Sequence, residues 1–114
     1  MEHLGGLIKP KFIKWVIKMV VKLVEVSEVN NFGSDKSYVL KEVFVNPEHV
    51  ICLRHDESVQ RKLQENKLPP ELDGRQEFTR IQMNSGHTGF NITVVGTPSS
   101  IEEKLRSTKQ VLRG

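Results

Sequence analysis

Between Glu77 and Leu105 the chain reads EFTRIQMNSGHTGFNITVVGTPSSIEEKL, and no other stretch narrows the fold as far. Phe78 to Met83 alternates with period two, with Thr79, Ile81 and Met83 on one face and Phe78, Arg80 and Gln82 on the other. Phe90 to Val95 repeats the pattern, setting Phe90, Ile92 and Val94 against Asn91, Thr93 and Val95. Both runs are rich in β-branched and aromatic residues, and Asn84 to Gly89 between them is made of turn formers. The stretch predicts a β-hairpin. A helix follows it: Pro98 suits the first helical position, with Thr97 as cap. Ser99 with Glu102, or Ser100 with Glu103, offers a capping box. Ile101 and Leu105 share a face, and Glu102 and Glu103 precede Lys104 and Arg106 as the helix dipole prefers. A hairpin and one amphipathic helix need further strands to pair with and pack upon.

Those strands lie upstream. Tyr38 to Val45 is a strand, with Val39, Lys41, Val43 and Val45 on one face and Tyr38, Leu40, Glu42 and Phe44 on the other. Asn46-Pro47 breaks it. His49 to Leu53 is an almost continuous apolar run, expected to be a central strand buried on both faces. Asp56 can cap a helix over Glu57 to Lys67, with Val59 and Leu63 as its apolar pair. Leu68 to Arg75 reads as an exposed connection, so residues 56–75 form a helical insertion of the kind that often carries function. Val29 to Ser37 has turn chemistry. The expected fold is α+β: a twisted antiparallel sheet of about five strands, open or curled towards a barrel, with a C-terminal helix and a short inserted helix.

The N-terminal part allows two readings. As a helix, Lys11, Lys14, Lys18 and Lys22 line one stripe and Phe12, Ile13, Val16, Val20, Leu23 and Val24 oppose it, with Trp15 at the boundary. That is a basic amphipathic segment suited to an anionic membrane surface, with Phe12, Trp15, Val16 and Val20 facing the lipid. As a strand, Trp15, Ile17, Met19, Val21 and Leu23 make one apolar face, and the load of Val and Ile favours strand from Met19 to Val26. The lysines exclude a spanning helix, and no signal-peptide pattern is present. Met19 also opens like a natural start. Residues 1–18 are then an extension, disordered or foreign to the native protein, ahead of a single domain over 19–114.

Charge supports that division. The net charge is +3, but residues 1–23 hold five lysines and one acid, while residues 24–114 hold 12 basic and 13 acidic groups. The domain itself is therefore near neutral, which counts against nucleic acid as its main partner. The single cysteine, Cys52, rules out an internal disulfide framework and reads as a buried core residue, which points to the cytoplasm.

The residues Phe44-Val45-Asn46-Pro47-Glu48-His49-Val50-Ile51, Asn91-Ile92-Thr93-Val94-Val95 and Ser100-Ile101-Glu102-Glu103-Lys104-Leu105, in that order, are similar to FlbD-like (SwrD, swarming motility) small proteins of flagellar operons. The match covers much of 19–105 and is interrupted by the Asp56 to Arg75 segment, which short family members lack. The resemblance implies a compact β-sheet domain with a C-terminal helix and a non-enzymatic accessory role. The chain also has the style of a small bacteriophage-encoded protein.

Catalytic signatures are missing from the sequence: it has no GxGxxG, Walker loop, HExxH, CxxC or GxSxG. No cofactor or metal is expected. His87 at the hairpin tip is foremost an exposed turn residue, and His49 and His55 are too far apart in sequence to share a metal alone. A hydrolytic site from His55, Glu57 and His87 requires the tip to fold over the helix start. Arg54, Arg61, Lys62, Arg75, Arg80 and His87 are the candidate interaction residues.

The expected function is a non-enzymatic binding or regulatory module acting through protein–protein contacts, by the insertion or by a sheet edge that can also pair two copies. The alternatives are a peripheral membrane protein anchored by residues 11–24, and a small RNA- or DNA-binding β-barrel.

Overall fold

The computed structural model describes residues 20–30 and 36–113, with side chains through residue 107. The expected amphipathic anchor lies outside these except for Val20, which is half-buried just ahead of the first strand, and Val21 to Val24, which are strand rather than helix. The strands are β1 (Val21–Asn30), β2 (Lys36–Val45), β3 (Val50–His55), β4 (Phe78–Ser85) and β5 (Thr88–Val95). The helices are α1 (Glu57–Gln64) and α2 (Pro98–Arg113), and a single 3-10 turn spans Pro47–His49. The five strands form one antiparallel sheet in the order β2-β1-β5-β4-β3. It is an open sheet and not a barrel: β2 and β3 stand at its two edges.

Both hairpins are longer than the turn residues suggest. β1 and β2 pair from Val21↔Val45 out to Asn30↔Lys36, so strand pairing extends into the segment expected as loop. β4 and β5 pair out to Ser85↔Thr88, leaving Gly86-His87 as a two-residue turn. Gly86 takes φ +67 as its first central residue, the position where a type II′ turn places glycine and where its backbone twist suits a hairpin. The two hairpins meet at one register pair only, Glu25↔Val94.

The period-two pattern builds a core on each side of the sheet. On one side Val21, Leu23 and Val45 from one hairpin and Ile81, Met83 and Val94 from the other pack with Ile101 and Leu105 of α2. The helix therefore spans the seam between the hairpins. On the opposite side Val26, Phe78, Tyr38, Leu40 and Val95 are covered by Val59 and Leu63 of α1 and by Leu68 and Leu72. The expected exposed connection is thus partly core: Leu68 is buried, because the turn after α1 folds it back over Phe78.

The helix ends follow local chemistry. Asp56 accepts the Val59 N–H at 3.1 Å and starts α1. The helix stops earlier than expected, in a Schellman turn. Asn66 adopts φ 60, its N–H reaches the Leu63 carbonyl at 3.1 Å, and the Lys67 N–H reaches the Lys62 carbonyl at 2.9 Å. At α2 the cap is Thr97, whose Oγ1 accepts the Ser100 N–H at 3.1 Å, so the serine-based boxes are not used. Gly96 makes the elbow into α2 at φ +128; a Cβ there would meet Ile101 Cδ1 and Ser100 Oγ at 3.1 Å.

β3 departs most from expectation. It is an edge strand, not a central one, and Ile51 is 56% exposed. Two local features explain the misleading apolar run. Asn46 caps the 3-10 turn by accepting the Glu48 N–H, which buries Pro47 and leaves His49 outside the strand. The register then shifts between Val50 and Cys52, so Ile51 is an extra, bulged residue that faces outward.

Candidate functional site

The edge formed by β3 has a different environment on each side of the strand. Towards α2 there is a groove of about 340 Å³, lined by Pro47, Val50, Ile51, Cys52 and Leu53 of the β3 region and by Glu102, Leu105 and Arg106 of α2. Its floor is apolar. Its rim carries Glu102 and Arg106, which pair with each other at 3.0 Å across one helical turn. Among the described residues no strand lies on the outer side of β3.

On the other side of the sheet, past the cover of α1, lies a polar cleft of about 170 Å³ lined by Cys52, Arg54, Arg80, Gln82 and Asn91. Period-two alternation and register place them there: Arg54 pairs directly across from Arg80, Cys52 from Gln82, and Gln82 from Asn91. Cys52 is half-buried instead of buried, and its Sγ donates to Gln82 Oε1 at 3.2 Å.

Asp56 lies behind Arg80, one of the cleft's lining residues. It is 2% exposed and holds three groups: the Val59 N–H at 3.1 Å, the Thr93 hydroxyl at 2.6 Å and Arg80 Nε at 3.5 Å. Burial alone would push its carboxyl up. The Thr93 and Val59 hydrogen bonds and the Arg80 guanidinium outweigh that and hold it below its ordinary value. Arg80 has no other ion pair or hydrogen bond with a described residue, and Arg54 has none. Asp56 is legible as a helix cap, but its partner Thr93 lies 37 residues further on, so the network has no local signal.

Of the candidate residues, Arg54 and Arg80 face each other across β3 and β4 and line the cleft, and the others are not among its lining. Lys62 lies over the Tyr38 ring, 5.7 Å from its centroid. Arg75 pairs with Asp73 at 3.5 Å, and Arg61 is exposed on α1. His87 sits at the hairpin tip, about 25 Å along the strands from Phe78 at 3.3 Å per residue. The trio His55, Glu57 and His87 is therefore not assembled; His55 Nε2 instead lies 3.5 Å from Glu77 Oε1. Among the described residues no three His, Cys, Asp or Glu side chains gather as metal ligands, and no helix is long and apolar enough to cross a membrane.

Other apolar side chains reach solvent, Phe44 most of all at 62% exposure, with Val24 near it on β1 and Phe90 on β5. Among the described residues, the β3 edge brings together an exposed apolar residue, an outer side without a neighbouring strand and a groove. Compared with known proteins, the chain matches no family model, no curated protein and no solved structure.

Proposed function

We propose that this protein is a non-enzymatic binding module that takes an extended segment of a partner polypeptide along the outer edge of β3. The observation that carries this reading is the pairing of that open edge with the apolar groove beside α2, where Ile51 stands out to solvent. An added strand hydrogen-bonds through its backbone and sends alternate side chains into the groove, which is how sheet edges recognise peptides. The 56–75 insertion is the weaker candidate for contact, because Val59, Leu63 and Leu68 are spent on the core beneath it. The β2 edge is also weaker, since it carries the exposed charges Lys36, Lys41 and Glu42, which protect an edge from pairing. An accessory role without chemistry also accords with the resemblance to FlbD-like proteins.

The test is amide chemical-shift mapping with an acetylated octapeptide of alternating valine and glutamine. Shifts confined to Val50–His55 and the facing side of α2, and lost in Ile51→Lys, support the reading. Shifts centred on β2, or none at millimolar peptide, refute it. Sedimentation of the free protein covers a second copy as occupant: a dimer that Ile51→Lys dissociates would assign the edge to self-association.

A further inference from the structure

The cleft behind β3 says what the bound segment should carry. Arg54 and Arg80 face each other directly across β3 and β4 on the same side of the sheet. Like charges in that position destabilise a sheet. Asp56 offsets one of them, through Arg80 Nε, and it is already committed to the Val59 N–H and the Thr93 hydroxyl. Two guanidiniums against one carboxylate leave the cleft with an unmatched positive charge. Gln82 is oriented by Cys52 through its Oε1, so its amide nitrogen is the group left for the cleft, and the Asn91 side chain has no hydrogen-bond partner among the described residues. Donors dominate the walls, and both formal charges on them are positive.

We infer that this cleft binds a carboxylate, supplied by a glutamate or aspartate side chain of the segment that pairs with β3. The inference rests on the β3-edge reading and adds the chemistry of the ligand. Side chains of an added strand alternate between the two sides of the sheet. Apolar residues then enter the groove beside α2, and the intervening ones pass next to Arg54. A carboxylate there accepts the planar fork of Arg54, the geometry in which arginine recognises a carboxylate. Arg80, held from behind by Asp56, supplies the second positive charge. The preferred ligand is an acidic segment in which apolar and acidic residues alternate.

Fluorescence anisotropy tests this with three labelled probes: octapeptides of alternating valine and glutamate, and of alternating valine and glutamine, and an eight-nucleotide oligothymidylate. The glutamate peptide is expected to bind about tenfold more tightly than the glutamine peptide, the scale of one charge-assisted hydrogen bond. Its advantage should shrink as salt is raised. Arg54→Gln should bring the two peptides within twofold of each other, and Arg54→Lys should keep part of the difference. Urea unfolding of each variant establishes that it is folded. Equal affinity of the two peptides for the unaltered protein overturns the inference and leaves the groove reading standing. Failure of both peptides removes the groove reading and this one with it. Tighter binding of the oligothymidylate than of the glutamate peptide overturns the carboxylate in favour of phosphate.

Discussion

Replacing Asp56 with alanine removes three contacts from a residue that is 2% exposed. Loss of the cap on the Val59 N–H costs about 1 kcal/mol. The 2.6 Å bond from the Thr93 hydroxyl joins a neutral donor to a charged acceptor, and its loss costs about 1.5 kcal/mol. Arg80 is half exposed, so its release into water adds at most about 0.5 kcal/mol. The sum is about 2.5 to 3 kcal/mol. With a urea dependence of about 1.5 kcal/mol per molar, the unfolding midpoint falls by about 1.5 to 2 M. Asp56→Asn keeps an oxygen for the Val59 N–H but puts an amide donor where Oδ2 accepts from Thr93 and faces Arg80, so about 2 kcal/mol is expected. Acid adds a second reading of the same network. Because the folded carboxyl titrates below its ordinary value of 3.8, the unfolded chain binds the proton first. The stability that Asp56 contributes is complete above the unfolded value and is lost as pH falls through the lower folded one. Asp56→Asn should flatten that part of the acid limb. An Asp56→Ala midpoint equivalent to less than about 0.5 kcal/mol from the unaltered protein would refute the assignment of Asp56 as the joint of α1, β4 and β5.

Two further expectations concern the frame. Gly96→Ala should cost about 1 to 3 kcal/mol in urea unfolding, since φ +128 is closed to other residues and the added Cβ meets Ile101 and Ser100 at 3.1 Å; an unchanged midpoint would contradict the elbow. Phe78→Ala should cost about 3 to 5 kcal/mol because the ring is fully buried, whereas Phe44→Ala at 62% exposure should stay within about 0.5 kcal/mol, and equal costs would mean that the two aromatics are wrongly placed.

What the chain discloses of itself follows the range of the interactions. The β4–β5 hairpin, the Thr97 and Asp56 caps and the Val59–Leu63 pair were readable because each depends on residues a few positions apart. The α+β class followed from those pieces. The place of β3 was not readable. His49 to Leu53 has the composition of a buried strand, and only the cap at Asn46 and the bulge at Ile51 turn it into an edge. Strand order is likewise non-local: nothing near Glu25 announces Val94 as its neighbour. The candidate site shows the same limit. Arg54 and Arg80 could be named as basic residues, but their opposition needs the β3–β4 register, and the Asp56–Thr93 bond needs β5 beside β4.

The helix that spans the seam is made after all five strands of the sheet. Before Ile101 and Leu105 are made, the core on that side of the sheet lacks its helix, and between β1 and β5 the register holds the single pair Glu25↔Val94. Val21, Leu23 and Val45 of the β1–β2 ribbon therefore stay without the cover of α2 until it is made. Such a ribbon holds sticky surface in the meantime, so the yield of native protein depends on how quickly the C-terminal turns arrive and on what shields the nascent strands until then. A pause in translation before Ile101 and Leu105 have left the ribosome would lengthen that exposure.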